Sequence, residues 1–83
     1  MVEVCALASG SNGNCYYIGN ENEAILVDAG ISCKQILQRM NNRELDTTKL
    51  KAVFITHEHA DHVRGARILS KKLNLPIFYT YST

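Results

Sequence analysis

Ala52-Val53-Phe54-Ile55-Thr56-His57-Glu58-His59-Ala60-Asp61-His62 is the stretch that decides how this chain is read. Its first half is a continuous apolar run of strand length, and its second half places four groups able to ligate a metal within six residues. A strand that ends where a helix begins can aim several side chains at one point. Neutral imidazole and carboxylate are the ligands that zinc and similar borderline ions take. All three histidines of the chain fall in this cluster. If the strand persists, His57 and His59 share one side, and Asp61 and His62 arrive at the turn into the helix. Asp61 also stands where that helix wants an N-cap, so capping is its other reading.

Toward the N-terminus, Val2 to Ala8 reads as a strand, and Ser9-Gly10-Ser11-Asn12-Gly13-Asn14 is a break made almost wholly of turn formers. Cys15 to Gly19 is a second strand, and Gly19-Asn20-Glu21-Asn22 a hairpin loop. Ala24-Ile25-Leu26-Val27 is a third strand ending at Asp28, and its unbroken apolarity predicts burial on both faces. Ser32 and Gln35 fit a capping box, with Ile31 and Ile36 spaced as a hydrophobic staple, so a helix starts there. Ile36, Leu37 and Met40 form its apolar face, and Asn41-Asn42 offers a stop before the polar stretch Arg43 to Lys51.

Beyond the cluster, Val63, Ala66, Leu69 and Leu73 recur at helical spacing, which predicts a second helix from about Val63 to Leu73 ended by Asn74 and Pro76. Ile77 to Tyr81 is a last strand of interior character with nothing after it to cover its edge, so self-association through that edge is expected. The order strand, strand, strand, helix, strand, helix, strand implies a layered α/β arrangement on a mixed sheet.

Composition sets wider bounds. At 83 residues there is at most one domain, and a net charge of +1 gives no overall pull toward nucleic acid or anionic membrane. No run approaches the roughly 18 apolar residues of a membrane span, and the N-terminus lacks the pattern of a secretory signal, so a cytoplasmic protein with no membrane partner is expected. Cys5, Cys15 and Cys33 are odd in number and lack C-x-x-C spacing. Small buried hydrophobes is the reading that fits them best, with a redox switch as the alternative.

Thr56-His57-Glu58-His59-Ala60-Asp61-His62 resembles the T-H-x-H-x-D-H signature of the metallo-β-lactamase superfamily. Val27-Asp28-Ala29-Gly30 is similar to that superfamily's first motif. Leu7 to Cys15 resembles more narrowly the WalJ/YycJ-like branch, close to the phosphodiesterases of phosphonate metabolism and associated with phosphodiester hydrolysis and exonuclease activity. The resemblance implies an α/β fold in which residues 1–83 form the N-terminal part of a single domain. That part would be one portion of an αββα sandwich, a mixed sheet with helices packed on it.

The same resemblance implies that His57 and His59 ligate one metal while Asp61 and His62 ligate a second, with Zn²⁺ expected and Mn²⁺ as the other candidate. Asp61 would also orient the nucleophile. Asp28 would fix a ligand imidazole or the nearby backbone by hydrogen bonding, its plainer reading being a strand-end turn residue. Histidine at position 59, where iron-binding flavodiiron relatives carry glutamate, and histidine at 62 point away from iron chemistry and from antibiotic hydrolysis. Two cations about 3.5 to 4 Å apart suit phosphodiester cleavage by a metal-activated hydroxide, with a phosphodiester, and in a nuclease nucleic acid, as substrate.

Ser9, Ser11, Asn12, Gly13 and Asn14 either cradle a substrate phosphate in a nest of N–H groups or form a plain loop. Lys49, Lys51, Arg64, Arg67, Lys71 and Lys72 are either a basic track for a nucleic-acid backbone or solvated faces. Complete domains of this kind draw further ligands from later segments, whereas here no His follows His62 and no Asp or Glu follows Asp61. The expectation is therefore a piece of a longer hydrolase, inactive alone. A thioester or lactone hydrolase of the glyoxalase-II kind and a non-catalytic metal-binding module are the alternatives.

Imidazoles must lose their proton to ligate, so zinc affinity should fall steeply below about pH 6, given an unperturbed histidine pKa of about 6.5. Competition titrations with a zinc-sensitive dye between pH 5 and 8 check this, and flat affinity across the range contradicts histidine ligation.

Overall fold

A computed structural model of the chain describes residues 1–10, 13–56 and 60–80, with side chains for all of these except 60–63. Five strands form one sheet in sequence order: β1 (Glu3–Ala8), β2 (Cys15–Gly19), β3 (Ala24–Val27), β4 (Leu50–Ile55) and β5 (Ile77–Tyr79). The first three are antiparallel neighbours, whereas β4 and β5 each join in parallel. Parallel neighbours need a crossover, and α1 (Cys33–Asn42) and α2 (Ala60–Leu73) supply the two that are required.

Local chemistry sets the helix ends. At the start of α1 the Ser32 hydroxyl accepts from Gln35 N at 3.2 Å and the Gln35 side chain accepts from Ser32 N at 3.3 Å, the reciprocal box expected from S-x-x-Q. The far end falls at the expected Asn-Asn stop. The helix runs through Asn42, and Glu44 takes the left-handed turn at φ 57°. Leu45 N then donates to Met40 O at 2.9 Å, and both side chains join the core, so an apolar contact places the stop. Asn74 plays the same part after α2 at φ 56°, with Leu75 N donating to Ser70 O at 2.9 Å.

Between α1 and β4 the polar stretch holds a short 3₁₀ turn, Thr47–Lys49, where the residue pattern suggests only loop. Asp46 caps it, accepting from Thr48 N at 2.9 Å and Thr48 Oγ1 at 2.6 Å, and these bonds hold its carboxyl below the usual range. The turn feeds β4 two residues earlier than the apolar run suggests, because Leu50 is buried with Ala24 before a bulge resets the register.

Both helices pack on one face of the sheet. Ile36 and Met40 from α1 and Ala66 and Leu69 from α2 meet Leu7, Cys15, Tyr17, Leu26, Val53 and Ile55 in a single cluster. Cys15 is fully buried there, and that burial, with the Asp28 carboxylate adding to it and Arg39 opposing it, pushes its thiol up to about 12. It therefore packs as a neutral hydrophobe at physiological pH. Cys33 is also buried, Cys5 is half-buried, and all three thiols are free.

The opposite face is apolar too. Val4, Ile18, Ile25 and Ala52 align in one cross-strand row, and Tyr16, Val27, Phe54 and Phe78 in the next. The Phe54 and Phe78 rings stack at 5.2 Å between centroids. Among the described residues no element lies over these rows, so burial of β3 is one-sided: Ala24 and Leu26 are buried while Ile25 and Val27 are half-exposed. β5 ends at Tyr79 rather than Tyr81, which lies outside the described residues, and it pairs only with β4 among those described. Phe78 and Tyr79 stay 48% and 45% exposed, as an edge position dictates.

α2 begins at Ala60, earlier than the apolar spacing predicts, which puts Asp61 inside the helix rather than at its cap. Its seat depends on Gly65, which is buried. A Cβ there would lie 2.5 Å from Ile31 O and 3.3 Å from Ala29 O, both backbone atoms. Alanine would gain about 1 kcal/mol of helix propensity, but forcing α2 off its seat costs about 1–3 kcal/mol. Gly65→Ala should therefore lower the midpoint of thermal unfolding despite the better helix former, and a higher midpoint would remove this account of the packing.

Candidate metal centre

Asp28 and Thr56 meet at one end of the sheet, where β3 and β4 finish side by side. Asp28 follows β3 and turns the chain at φ 63°, a left-handed conformation that Asp and Asn tolerate better than most residues. Its N–H donates to Phe54 O at 2.7 Å. Its carboxylate reaches across to the end of β4: Oδ1 accepts from Thr56 N at 2.8 Å and Oδ2 from Thr56 Oγ1 at 2.6 Å. Asp28 is the one buried charged residue among those described, at 6% exposure. A buried carboxylate costs free energy unless it is bonded, and here both oxygens are used.

Thr56 immediately precedes the histidine cluster, so the carboxylate fixes the point from which the cluster departs. His57, Glu58 and His59 lie outside the described residues, and α2 resumes the described backbone at Ala60. Asp61 and His62 belong to the first turn of α2. The cluster is thus bracketed by two anchored points, Thr56 on Asp28 and α2 on the loop carrying Ala29 and Ile31. Among the described residues no group of three metal-ligating side chains comes together, the expected ligands being those just named.

A second close approach sets the floor beneath this end of the sheet. Gly30 N donates to Asn14 O at 2.8 Å, and a Cβ on Gly13 would lie 2.3 Å from Gly30 O. The loop after β1 is therefore laid backbone to backbone on the segment after Asp28. Gly13 has φ 143°, open to glycine and little else.

Within that loop Gly10 N donates to Asn14 Oδ1 at 3.0 Å and Gly13 N to Gly10 O at 3.3 Å. These N–H groups and the Asn14 carbonyl oxygen serve to close the loop. Ser9 is exposed beside them, and Ser11 and Asn12 lie outside the described residues. Of the basic residues considered for a track, Lys49 donates to Asn20 O at 3.1 Å at the opposite end of β4, while Lys51, Arg64, Arg67, Lys71 and Lys72 are exposed.

Three participants escape a reading by residue type alone. Thr56 is an ordinary strand residue until its partner is seen. Gly30 and Gly65 carry no chemistry, although a lone glycine inside a helical pattern is a recognised sign of close backbone approach.

Comparison with known proteins places the whole chain in a family. The profile of the metallo-beta-lactamase superfamily matches residues 8–83. The chain belongs to that superfamily. It is 39% identical over 77 residues to the exodeoxyribonuclease YycJ of Bacillus anthracis, covering 93% of this chain and 29% of that protein. It is 32% identical over 74 residues to ribonuclease J of Mycoplasma genitalium, covering 80% of this chain and 13% of that one. Among solved structures, the class B3 di-zinc metallo-beta-lactamase LRA-12 from an Alaskan soil metagenome superposes with a TM-score of 0.68 at 23% identity, over 77% of this chain and 25% of that one. The chain thus spans under a third of the length of these superfamily relatives.

Membership implies divalent metal ions, and the donor set fits them: imidazoles and a carboxylate, with no thiol in the cluster. The five-stranded mixed sheet with two helices on one face agrees with the metallo-beta-lactamase fold expected from the resemblance. No helix among the described residues is long and apolar enough to cross a membrane.

Asp28→Ala removes both bonds to Thr56 and should cost about 1.5–3 kcal/mol of stability, the range for hydrogen bonds to a charged group. Asp28→Asn keeps one acceptor and tolerates the left-handed turn, so it should lose less. Urea unfolding of the three proteins reads the order, and an Ala variant as stable as the parent would show that the carboxylate does not hold the two strand ends together.

Proposed function

We propose that this chain carries the first ligand-bearing segment of a metal-dependent phosphodiesterase whose substrate is nucleic acid. The observation that carries the reading is the Asp28–Thr56 bridge at the residue that precedes the H-x-H-x-D-H run in sequence, in a chain whose relatives include proteins named as an exodeoxyribonuclease and a ribonuclease. His57 and His59 would hold one divalent ion and Asp61 and His62 a second, with zinc proposed and manganese the alternative. Bound there, such ions supply positive charge for the phosphoryl oxygens and acidify water. Asp61 would in addition orient the attacking water. Asp28 is a positioning residue, since it acts through Thr56 and the backbone that leads to the ligands.

Residues 1–83 are proposed to be the N-terminal part of one domain. The apolar rows headed by Val4 and Tyr16 would then be the surface on which the remainder of a sandwich packs, and without that cover the chain would self-associate. Ser9, with Ser11 and Asn12, is kept as the candidate contact to a substrate phosphate, because the neighbouring N–H groups are spent inside the loop.

A chimera tests the activity: this chain replaces the matching segment of the YycJ relative, and release of nucleotides from end-labelled DNA is followed with added Zn²⁺ or Mn²⁺. Metal-dependent release that falls to background in His59→Ala is expected. The 83-residue chain alone should bind zinc but leave a chromogenic phosphodiester intact. A folded chimera that cleaves a thioester and spares DNA would overturn the nuclease reading.

A further inference from the structure

The net charge of +1 conceals a sharp division along the chain. Seven of the nine lysines and arginines, Lys34, Arg39, Arg43, Arg64, Arg67, Lys71 and Lys72, lie in the two helices or at the α1 cap. No Asp or Glu occurs from Ala29 to Arg43 or from His62 to Thr83. Asp61 in the first turn of α2 is the one acidic residue within either helix, and Glu3, Glu21 and Glu23 lie at the β1–β2–β3 end of the sheet. The helical layer is therefore a cationic face on a nearly neutral chain.

That face has a groove in it. Between α1 and α2 lies an open cleft of about 710 Å³ lined by Ser32, Gln35 and Arg39 on one side and Arg64 and Ile68 on the other, with Gly30 and Ile31 among its lining. Among the described residues no acidic side chain lines it. Arg39 is held in place, its Nη1 donating to Leu7 O at 2.7 Å, so part of the entropy of ordering a long cation is already spent. Ser32 and Gln35 are fixed by the capping box. Further along, Lys72 lies close enough to α1 to act electrostatically on Cys33. From Arg64 to Lys72 the helix rises about 12 Å, enough to set its cations against more than one phosphate of a nucleic-acid strand.

We propose that this inter-helix groove seats the sugar–phosphate backbone of a nucleic-acid strand, with Arg39, Arg64 and Lys72 contacting successive phosphates and the half-exposed Ile68 meeting sugar or base. The inference rests on the nuclease reading of the adjacent centre and adds to it a docking surface outside the metal ligands. Its placement supports the role: Gly30 and Ile31 follow Asp28 in sequence, so a strand leaving the groove at this point arrives at the candidate centre.

Binding is separable from hydrolysis. Fluorescence anisotropy of a labelled single-stranded oligothymidylate with the full chain in EDTA reads affinity without metal or turnover. Affinity should fall between about 50 and 200 mM NaCl, as counterion release requires. Arg64→Glu combined with Lys72→Glu should weaken binding by about tenfold or more and flatten the salt dependence by about 0.7 for each phosphate left unneutralised. Arg64→Lys should retain most of the affinity, and Glu21→Gln with Glu23→Gln at the far end of the sheet should leave it unchanged.

Arg64 and Lys72 are exposed, so the variants are expected to keep their fold, and circular dichroism of each checks this. Should the double reversal prove unfolded, Arg64→Gln alone carries the test through the salt slope. The proposal is overturned if wild type fails to bind, if the folded double variant binds as tightly as wild type, or if phosphatidylserine vesicles capture the chain while the oligonucleotide does not. Loss of DNA cleavage in the chimera with binding retained here would sink the hydrolytic reading and leave the groove standing.

Discussion

The carboxylate of Asp28 is the point on which the rest of this structure turns. Parallel strands share no hairpin, so nothing in their connection guarantees that β3 and β4 finish level with one another. Here the backbone of Asp28 bonds to Phe54 and its side chain takes both polar hydrogens of Thr56, which locks two strand ends that lie far apart in sequence. A charge 94% removed from solvent would be expensive in isolation, and it is tolerated because its bonds are charge-assisted and short. The residue needed to launch the histidine run is thereby fixed by a residue that ligates nothing in the proposed scheme.

Much of this architecture is legible in the residues themselves. The Ser32/Gln35 box, the Asn74 stop and the limits of β2 and β3 follow from local chemistry, in which a side chain meets its own neighbours. The discrepancies fall where distant residues decide. β4 starts at Leu50 rather than Ala52 because Ala24 pairs with Leu50 beside a bulge. α2 starts at Ala60, earlier than the apolar spacing suggests, and its seat is set at Gly65 against the backbone of Ala29 and Ile31.

The candidate site divides the same way. The ligand types and their spacing are visible in six consecutive residues, as is the aspartate after β3, whose pairing with a threonine 28 positions away is not. The loop after β1 shows the opposite case. Its serines, asparagines and glycines suggest a phosphate cradle by composition, whereas the described N–H groups of Gly10 and Gly13 are consumed in closing the loop. Charge is similarly deceptive in the aggregate. A value of +1 hides a cationic helical layer and an acidic hairpin end, a separation that appears only once the elements are placed.

The glycines at 13, 30 and 65 stack three stretches of main chain with no side chain between them. Spacing at this end of the molecule is consequently ruled by peptide groups, whose size sequence drift cannot alter. The framework that carries the residues around the centre therefore keeps one fixed gauge. A substitution at any of the three would shift whole elements together instead of adjusting a single group.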